Sequence, residues 1–251
     1  MNIKSPLRLA VDGELVLKEA TRRSFLRRSL TLGGLAMLTG CSLVDEASVD
    51  TALSRISRIN DDVQGWLFDP NRLAPTYPES MITRPFPFNA YYGEDEIREI
   101  EESSYRLEVT GLVADCRQWT LRELRAMPQI EQVTRHICVE GWSAIGKWGG
   151  ASFASFLRRA GADLSAKYVG FKCADDYFTS IDMATALHPQ TVLALTYDGQ
   201  PLPPKYGFPM KLRMPTKLGY KNPKHIQAIF VTNIYPGGYW EDQGYNWFGG
   251  S

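Results

Sequence analysis

Prolines and glycines interrupt this chain so often that long helices can occupy little of it. The 251 residues include 15 prolines and 21 glycines, and 12% of the residues are aromatic. Proline removes a backbone hydrogen-bond donor and glycine weakens helix interiors, so both residue types tend to end regular segments. The composition therefore favours a loop-rich domain over a helix bundle.

Short strand and helix patterns alternate from Tyr105 onward. Thr120 can cap a helix with Glu123 in the capping-box position, and Pro128 ends that helix. Strands are predicted at 105–109, 131–139, 167–173, 191–197, 210–214 and 226–234, and helices at 120–127, 152–160 and 180–187. This is a mixed α+β pattern rather than a regular βαβ repeat. No Gly-x-Gly-x-x-Gly follows a strand, which argues against a dinucleotide-binding Rossmann fold.

The amino-terminal segment has the features of an export signal. Arg22-Arg23 and Arg27-Arg28 precede a mildly apolar run at 29–40. That run is shorter than the ~20 apolar residues that a permanent membrane helix needs. A basic region followed by a short apolar region is typical of a targeting peptide, and a twin arginine indicates the pathway that exports folded proteins. The alternative is an amphipathic surface helix, which fits poorly with Gly33-Gly34 in its middle.

The signal ends in Leu38-Thr39-Gly40-Cys41, which resembles a bacterial lipoprotein box. On that interpretation, Cys41 is the lipidated first residue of the mature protein and tethers it to a membrane. The alternative is removal of the signal nearby, with Cys41 lost or left as a free thiol. We therefore predict a signal peptide at 1–41, an extended linker at 42–85 with a short helix at 49–59, and one domain at 86–251.

Charge and cysteine content argue against several classes of function. The formal net charge is zero and no basic stripe is visible, so nucleic-acid binding is not expected. The four cysteines form no Cys-x-x-Cys pair, which leaves a zinc or dithiol site without support. The sequence also contains no haem or iron–sulfur motif. The sequence does not decide whether Cys116 and Cys173 form a disulfide in an oxidising compartment.

Cys138 is the candidate reactive residue, since it ends a predicted strand just before a glycine-bearing turn. Flanking Arg135, Lys147 and His136 would favour a thiolate, which can bind a soft metal or attack a carbonyl. The alternative is a buried cysteine that packs as a small hydrophobe. His136 and His188 could act as acid–base groups, or could be local hydrogen-bonding or packing residues.

Three sequence blocks between Cys138 and Lys221 carry a recognisable pattern. The first is Cys138-Val139-Glu140-Gly141-Trp142-Ser143, followed by Trp148-Gly149. The second runs from Leu187-His188-Pro189 to Asp198-Gly199-Gln200-Pro201-Leu202-Pro203-Pro204. The third runs from Tyr206-Gly207-Phe208-Pro209 to Lys217-Leu218-Gly219-Tyr220-Lys221. Together the blocks resemble the sulfite oxidase superfamily, with its periplasmic methionine-sulfoxide reductase branch most similar. The resemblance covers residues 85 to 235 and implies a mixed-sheet α+β molybdopterin-binding fold.

In that family, one cysteine thiolate holds molybdenum, and the dithiolene of one molybdopterin supplies the other sulfur ligands. The resemblance therefore implies one molybdenum–molybdopterin cofactor per chain, with Cys138 as its metal ligand and catalytic residue. A soft thiolate suits a metal in a sulfur-rich shell. The remaining cofactor-binding residues that the resemblance implies are Asn89, Tyr92, Gly93, Cys173, Tyr206, Lys211, Asn222, Pro223 and Lys224.

Several positions depart from the family pattern. The methionine-sulfoxide reductase branch has threonine, asparagine and arginine where this chain has Cys173, Tyr206 and Lys211. Lys211 keeps the charge but loses the bidentate fork. The Cys-x-x-Asn-Arg-Arg pattern of true sulfite oxidases is replaced by Cys138-Val139-Glu140-Gly141-Trp142, which makes sulfite a poorer candidate substrate. The carboxyl-terminal dimerisation domain of sulfite oxidases is not expected either.

The sequence thus predicts an exported, periplasmic molybdopterin oxidoreductase that performs oxygen-atom transfer or two-electron redox. Its expected substrate is a small-molecule or protein-bound oxide, such as an S-oxide or N-oxide. Electrons would pass through a separate carrier, a membrane haem protein or a cytochrome, because the chain has no second redox motif. Folded export agrees with a cofactor that is loaded in the cytoplasm. The alternative function is a non-catalytic pterin-binding or interaction module on the same fold.

Overall fold

A computed structural model describes residues 46–251 of the chain. The predicted export signal and Cys41 lie outside the described residues. The helices are α1 (Glu46–Leu67), α2 (Leu121–Arg125), α3 (Phe153–Arg159) and α4 (Met183–Leu187). The strands are β1 (Leu107–Gly111), β2 (Gln118–Trp119), β3 (Gln129–Ile137), β4 (Ser143–Ser152), β5 (Tyr168–Cys173), β6 (Phe178–Asp182), β7 (Val192–Tyr197), β8 (Gln200–Pro201), β9 (Lys211–Arg213) and β10 (Ile226–Thr232).

The strands form two sheets that enclose the main core. One sheet has the order β2-β1-β10-β5-β6, with β1 and β10 parallel and the other pairs antiparallel. The other has the order β3-β4-β7-β8, and β9 also pairs with β7. The buried side chains of both sheets meet those of α3, including Phe153 and Phe156. A smaller aromatic cluster gathers around Phe86, Trp148 and Tyr206. Mixed sheets with short helices are the predicted α+β architecture.

Local signals in the sequence correctly place two of the short helices. Thr120 caps α2, since its hydroxyl accepts a hydrogen bond from the Glu123 amide and the Glu123 carboxylate accepts one from the Thr120 amide. This reciprocal capping satisfies two amides that a helix start leaves free. Gly161, with φ +65°, follows the end of α3, where a left-handed residue closes a helix without a steric penalty.

The predicted helix at 180–187 is wrong in its first half. Residues 178–182 form strand β6, which pairs antiparallel with β5, and the helix begins only at Met183. Asp182 caps this shorter helix, because its carboxylate accepts a hydrogen bond of 2.7 Å from the Thr185 amide. Thr179, Ser180 and Ile181 are buried in the sheet, so tertiary pairing outweighs their local pattern.

Strand β4 was missed by the sequence analysis, although it is the longest strand and lies between β3 and β7. Its glycines hide the alternation of apolar residues that identifies a strand. Gly150 shows why the glycine is needed, since a Cβ there would lie 1.9 Å from the Leu193 carbonyl oxygen of β7. The two strands can approach this closely only without a side chain at that position.

The segment assigned to an extended linker is partly helical. The helix expected at 49–59 instead spans Glu46–Leu67. The residues after it contact the sheet: the Gln190 amide group exchanges two hydrogen bonds with the backbone of Ala74, and the Tyr77 amide donates to Val133. The domain boundaries at residues 41 and 85 stay predictions. Within residues 46–251, no helix combines the length and the apolar character needed to cross a membrane.

Candidate active site

Cys138 is held in place by the tight turn that joins β3 to β4. Thr134, His136 and Cys138 alternate with exposed or half-buried residues, so they share the buried side of this strand. The Cys138 amide donates to the Trp142 carbonyl at 2.9 Å, and the Gly141 amide donates to the Cys138 carbonyl at 3.1 Å. Gly141 has φ +93°, which favours glycine. The turn therefore fixes the direction of the thiol.

Two polar side chains contact the Cys138 sulfur. Asn89 Nδ2 donates to Sγ at 3.1 Å, and Glu140 Oε2 lies 3.6 Å from Sγ. The indole Nε1 of Trp142 donates to the same Glu140 oxygen at 2.9 Å, which holds the carboxylate beside the sulfur. Burial raises the pKa of the Cys138 thiol, and hydrogen bonds from Glu140 N–H and Asn89 oppose this only in part.

The expectation that Arg135 and Lys147 favour a thiolate is wrong. The Arg135 guanidinium lies over the ring of Tyr77 at 5.3 Å from its centre, on the other side of β3. Lys147 forms ion pairs with Glu79 and Glu131 at 2.8 and 3.1 Å. Neither cation compensates a charge on the sulfur, so the surrounding protein atoms favour the protonated thiol. A bound soft metal would reverse this preference, because a coordinating thiol loses its proton.

The thiol opens onto a cavity whose lining includes half of the predicted site residues. Asn89, Cys138, Asn222, Pro223 and Lys224 come together there. Tyr92 lies next to this group, since its hydroxyl donates to Asp175 Oδ2 at 3.0 Å. The other lining residues were not predicted individually. Six of them adjoin predicted residues or lie in the third sequence block, namely Ala90, Tyr91, Val139, Glu140, Gly219 and Tyr220; the other four reach the cavity from distant loops and are Asp175, Tyr177, Trp240 and Tyr245.

Besides Tyr92, four further predicted residues do not line this cavity. Cys173 is buried in the main core, and both Cys173 and Cys116 are free thiols, so the disulfide left open by the sequence does not form. Tyr206 lies in the small aromatic cluster and its hydroxyl donates to the Phe86 carbonyl at 2.9 Å. The Gly93 amide binds Glu96 Oε1 on the surface. Lys211 is buried behind the cavity, with Nζ 4.9 Å from the ring centre of Trp148.

Three buried basic side chains lie near His136. Lys211, Arg213 and Lys224 are each at most 8% exposed. In the described part of the chain, Lys211 Nζ has no ion pair, and the hydrogen bonds of Arg213 go to neutral oxygens. Burial lowers the pKa of Lys224 to about 8, which the nearby Asp175 carboxylate opposes only in part, and the pKa of Lys211 falls well below its usual range because of its burial. Buried positive charge without a partner is costly, so this cluster favours an anionic ligand.

Gly207 allows Lys211 and Lys224 to lie close together. Its φ of +114° is in the left-handed region. A Cβ at this position would lie 2.9 Å from the Lys224 Cβ and 3.2 Å from the Lys211 Cβ. The glycine thus packs between the two lysine stems, where a larger side chain would not fit.

His136 is a second buried group with unused polar atoms. The side chain is fully buried, and neither ring nitrogen has a hydrogen-bond partner among residues 46–251. A Cβ on Gly219, a cavity residue, would lie 2.8 Å from His136 Nε2 and 3.5 Å from Asn89 Nδ2. Burial, together with the nearby charges of Lys211 and Arg213, holds the pKa of His136 well below its usual range. The ring is therefore a neutral imidazole beside the cavity wall.

The donor set of the site fits a molybdopterin cofactor. It combines one buried thiol, an unbalanced group of cations, two amide side chains and an imidazole with free nitrogens. The thiol suits molybdenum, and the cations suit the phosphate of the pterin. No three His, Cys, Asp or Glu side chains of the described residues gather into a metal site of their own.

Comparison with known proteins identifies the family. Residues 94–240 match the oxidoreductase molybdopterin binding domain, and the chain belongs to this family. A protein of Azospira oryzae, named as a candidate protein-methionine-sulfoxide reductase subunit, YedZ1, is 71% identical over an alignment that covers 97% of either chain. The protein-methionine-sulfoxide reductase catalytic subunit MsrP of Gluconobacter oxydans is 31% identical over 54% of this chain and 49% of its own length.

A solved structure supports the fold. The sulfane dehydrogenase SoxCD of Paracoccus pantotrophus matches with a TM-score of 0.52 and 19% identity, over 55% of this chain and 40% of the other. The predicted molybdopterin-binding α+β fold is thus confirmed. The protein is a molybdopterin-dependent oxidoreductase, and molybdenum–molybdopterin is its cofactor.

Proposed function

We propose that this chain is the catalytic subunit of an enzyme that reduces S-oxides, with methionine sulfoxide in proteins as the first candidate substrate. The observation that carries the proposal is the 71% identity, over nearly the whole length of either chain, to a relative named for methionine-sulfoxide reduction. The MsrP relatives of Gluconobacter oxydans and Ralstonia nicotianae carry the same activity in their names. The buried thiol of Cys138 beside Asn89 supports the proposal, since it would offer the metal a soft ligand.

The residues around the cavity have distinct roles in this proposal. Cys138 would hold molybdenum, and Asn89 would orient its sulfur. Lys224, Asn222 and Pro223 would contact the pterin, with Tyr92 fixed beside them through Asp175. Arg213 and Lys211 would stabilise the anionic cofactor, whose negative charge would favour the protonated form of Lys211. When bound, the cofactor supplies two-electron oxygen-atom transfer.

Glu140 is placed to accept the thiol proton during cofactor loading. Its Oε2 lies 3.6 Å from Sγ, where the Trp142 indole holds it. Since burial favours the protonated thiol, loading requires a base within reach of the sulfur. The proton would pass from Cys138 Sγ to Glu140 Oε2 and then to water at the exposed side of the turn.

Substitution of the thiol tests the metal assignment. Cys138→Ser should remove most of the molybdenum from the purified holoenzyme, measured by elemental analysis together with pterin fluorescence. Cys116→Ser is the matched control, because Cys116 is an exposed free thiol outside the site. Full molybdenum content in Cys138→Ser would refute the ligand assignment.

A redox-dye assay of the loaded enzyme tests the reaction. Reduced dye should be oxidised with methionine sulfoxide, free or in a peptide, and Cys138→Ser should lose this activity. Loaded protein that turns over N-oxides but no S-oxide would overturn the substrate assignment. Loaded protein without turnover on any oxide would favour the non-catalytic pterin-binding alternative.

We also propose that the protein works in the periplasm after twin-arginine export, attached to the membrane through a lipidated Cys41. The sequence Arg22-Arg23 and the box ending at Cys41 support this. Replacing both arginines with lysine should leave the loaded protein in the cytoplasm, as shown by cell fractionation. Mass spectrometry of the mature amino terminus tests the lipid, and an unmodified terminus would refute it. A separate haem-containing carrier would supply the electrons.

A further inference from the structure

Helix α1 carries its apolar residues on the side that faces away from the domain. Within the compact unit formed by residues 56–251, this helix exposes five apolar side chains, which are Ile56, Ile59, Val63, Trp66 and Leu67. Trp66 is the most exposed of them, at 83%. At 3.6 residues per turn, their spacing places them on one stripe about 100° wide. We name these five residues the outer stripe.

The opposite side of the helix contacts the domain mainly through polar groups. Asp61 Oδ1 accepts a hydrogen bond of 2.7 Å from the Phe248 amide, and Gln64 Oε1 accepts one of 3.1 Å from the Gly250 amide. Gly65 lies against the Phe248 ring, since a Cβ added at residue 65 would lie 3.8 Å from the Phe248 Cε2 atom. A surface helix normally buries its apolar side and exposes its polar side. This helix does the reverse, so the fold leaves the outer stripe uncovered.

We propose that the outer stripe lies in the interface of the membrane to which Cys41 attaches the chain. The inference rests on the lipid attachment at Cys41 that is part of the proposed function. Only five residue steps separate Cys41 from Glu46, so the helix begins within about 18 Å of a lipidated terminus. A tether this short keeps the helix near the bilayer at a high effective concentration.

The chemistry of the stripe suits a position on the membrane surface. An interfacial helix buries aliphatic and Trp side chains among the lipids while its polar side stays in water. Trp66 has the amphipathic ring that favours this boundary. Around the stripe, Asn60 and the charged residues Arg55, Arg58 and Asp62 are exposed. Because Asp62 balances only one of the two arginines, attraction to anionic lipids contributes about one charge, and most of the binding should persist at high salt.

The test compares two triple variants of the mature chain. The stripe variant is Ile59→Ser, Val63→Ser, Trp66→Ser. The flank variant is Arg58→Ser, Asn60→Ser, Asp62→Ser, which changes as many exposed residues on the same helix.

Flotation with phosphatidylethanolamine–phosphatidylglycerol vesicles measures binding of the unacylated chain, prepared as Cys41→Ala. Quenching by brominated lipid measures the depth of Trp66 in the acylated chain, taken as the difference from Trp66→Phe. Circular dichroism and molybdenum content verify that each variant is folded and loaded.

We expect the unacylated chain and its flank variant to bind vesicles alike, and the stripe variant to bind at least about tenfold more weakly, equivalent to ~1.4 kcal/mol. Brominated lipid should quench Trp66 in the acylated chain. Equal binding of the two variants, or an unquenched Trp66, would overturn the inference. So would a stripe-dependent dimer in sedimentation, since a second copy would then cover the stripe. If the terminus is unacylated but binding still depends on the stripe, only the lipid attachment at Cys41 is refuted. The stripe then remains the membrane-binding surface.

Discussion

At the scale of single residues, the buried histidines His136 and His188 make an informative contrast. Both ring nitrogens of His188 have hydrogen-bond partners. Its Nε2 lies 3.1 Å from the Arg72 carbonyl oxygen, and its Nδ1 accepts a hydrogen bond from the Gln190 amide. It is therefore the local hydrogen-bonding residue that one interpretation of the sequence expected. His136 has no such partners in the described part of the chain. We interpret its ring as a hydrogen-bonding group for the cofactor.

Leucine substitutions of the two histidines should have opposite effects on stability. His136→Leu removes two unsatisfied buried nitrogens and should raise the free energy of unfolding of the cofactor-free protein by about 1–3 kcal/mol, while lowering molybdenum and pterin content. His188→Leu leaves the Gln190 amide and the Arg72 carbonyl without partners, so it should destabilise the protein without changing cofactor affinity. Urea unfolding of cofactor-free protein and metal analysis after reconstitution measure both effects. Unchanged cofactor content in folded His136→Leu would show that the ring only packs.

The residues of the site could be predicted only where they belong to a sequence motif. Cys138, Asn89 and the segment 222–224 were found through family resemblance, and the structure brings them to one cavity. Asp175 and Trp240 were missed, because they reach the cavity from loops far away in sequence and carry no local signal. The free nitrogens of His136 were equally invisible, since burial of an unpaired group is a property of the packed molecule.

At the scale of elements, prediction succeeded where the signal is local and failed where neighbours decide. Helix α2 was predicted because its capping box is written in four consecutive residues, Thr120 to Glu123. Strand β4 was not, because Gly146, Gly149 and Gly150 have no side chains to show an alternation. Its extended form depends on β3 and β7 on either side. Helix α1 was expected as a shorter helix, but which of its sides meets the domain could be seen only in the structure.

At the scale of the whole molecule, Lys217 ties distant parts of the chain together. Its side-chain nitrogen donates to the Phe248 carbonyl oxygen at 2.8 Å and lies 3.6 Å from Asp182 Oδ2 at the start of α4. It also lies over the rings of Phe248 and Phe68, at 3.0 and 5.3 Å from their centres. The carboxyl-terminal segment, Phe68 at the end of α1, and helix α4 thus meet at one lysine side chain that is 1% exposed.

The position of Lys217 predicts an unusual dependence of stability on pH. Burial lowers its pKa from 10.5 to about 7, with Asp182 opposing the shift and Lys221 adding to it. Between these two values the unfolded chain binds the proton and the folded protein does not, so Lys217 makes stability rise with pH by up to about 1.4 kcal/mol per unit. Below about pH 7 both states are protonated and this dependence ends.

Substitution of Lys217 isolates its contribution. Lys217→Met should flatten the pH dependence of the free energy of unfolding between about pH 7 and 8.5, while the exposed Lys172→Met should leave it unchanged. Denaturant unfolding of the three proteins across this range measures the slopes. Because other buried groups titrate equally in all three, the difference between wild type and Lys217→Met reports on Lys217 alone. Equal slopes would mean that Asp182 and the Phe248 carbonyl keep the ammonium charged at neutral pH, and that the junction is held by an ion pair rather than by a neutral amine.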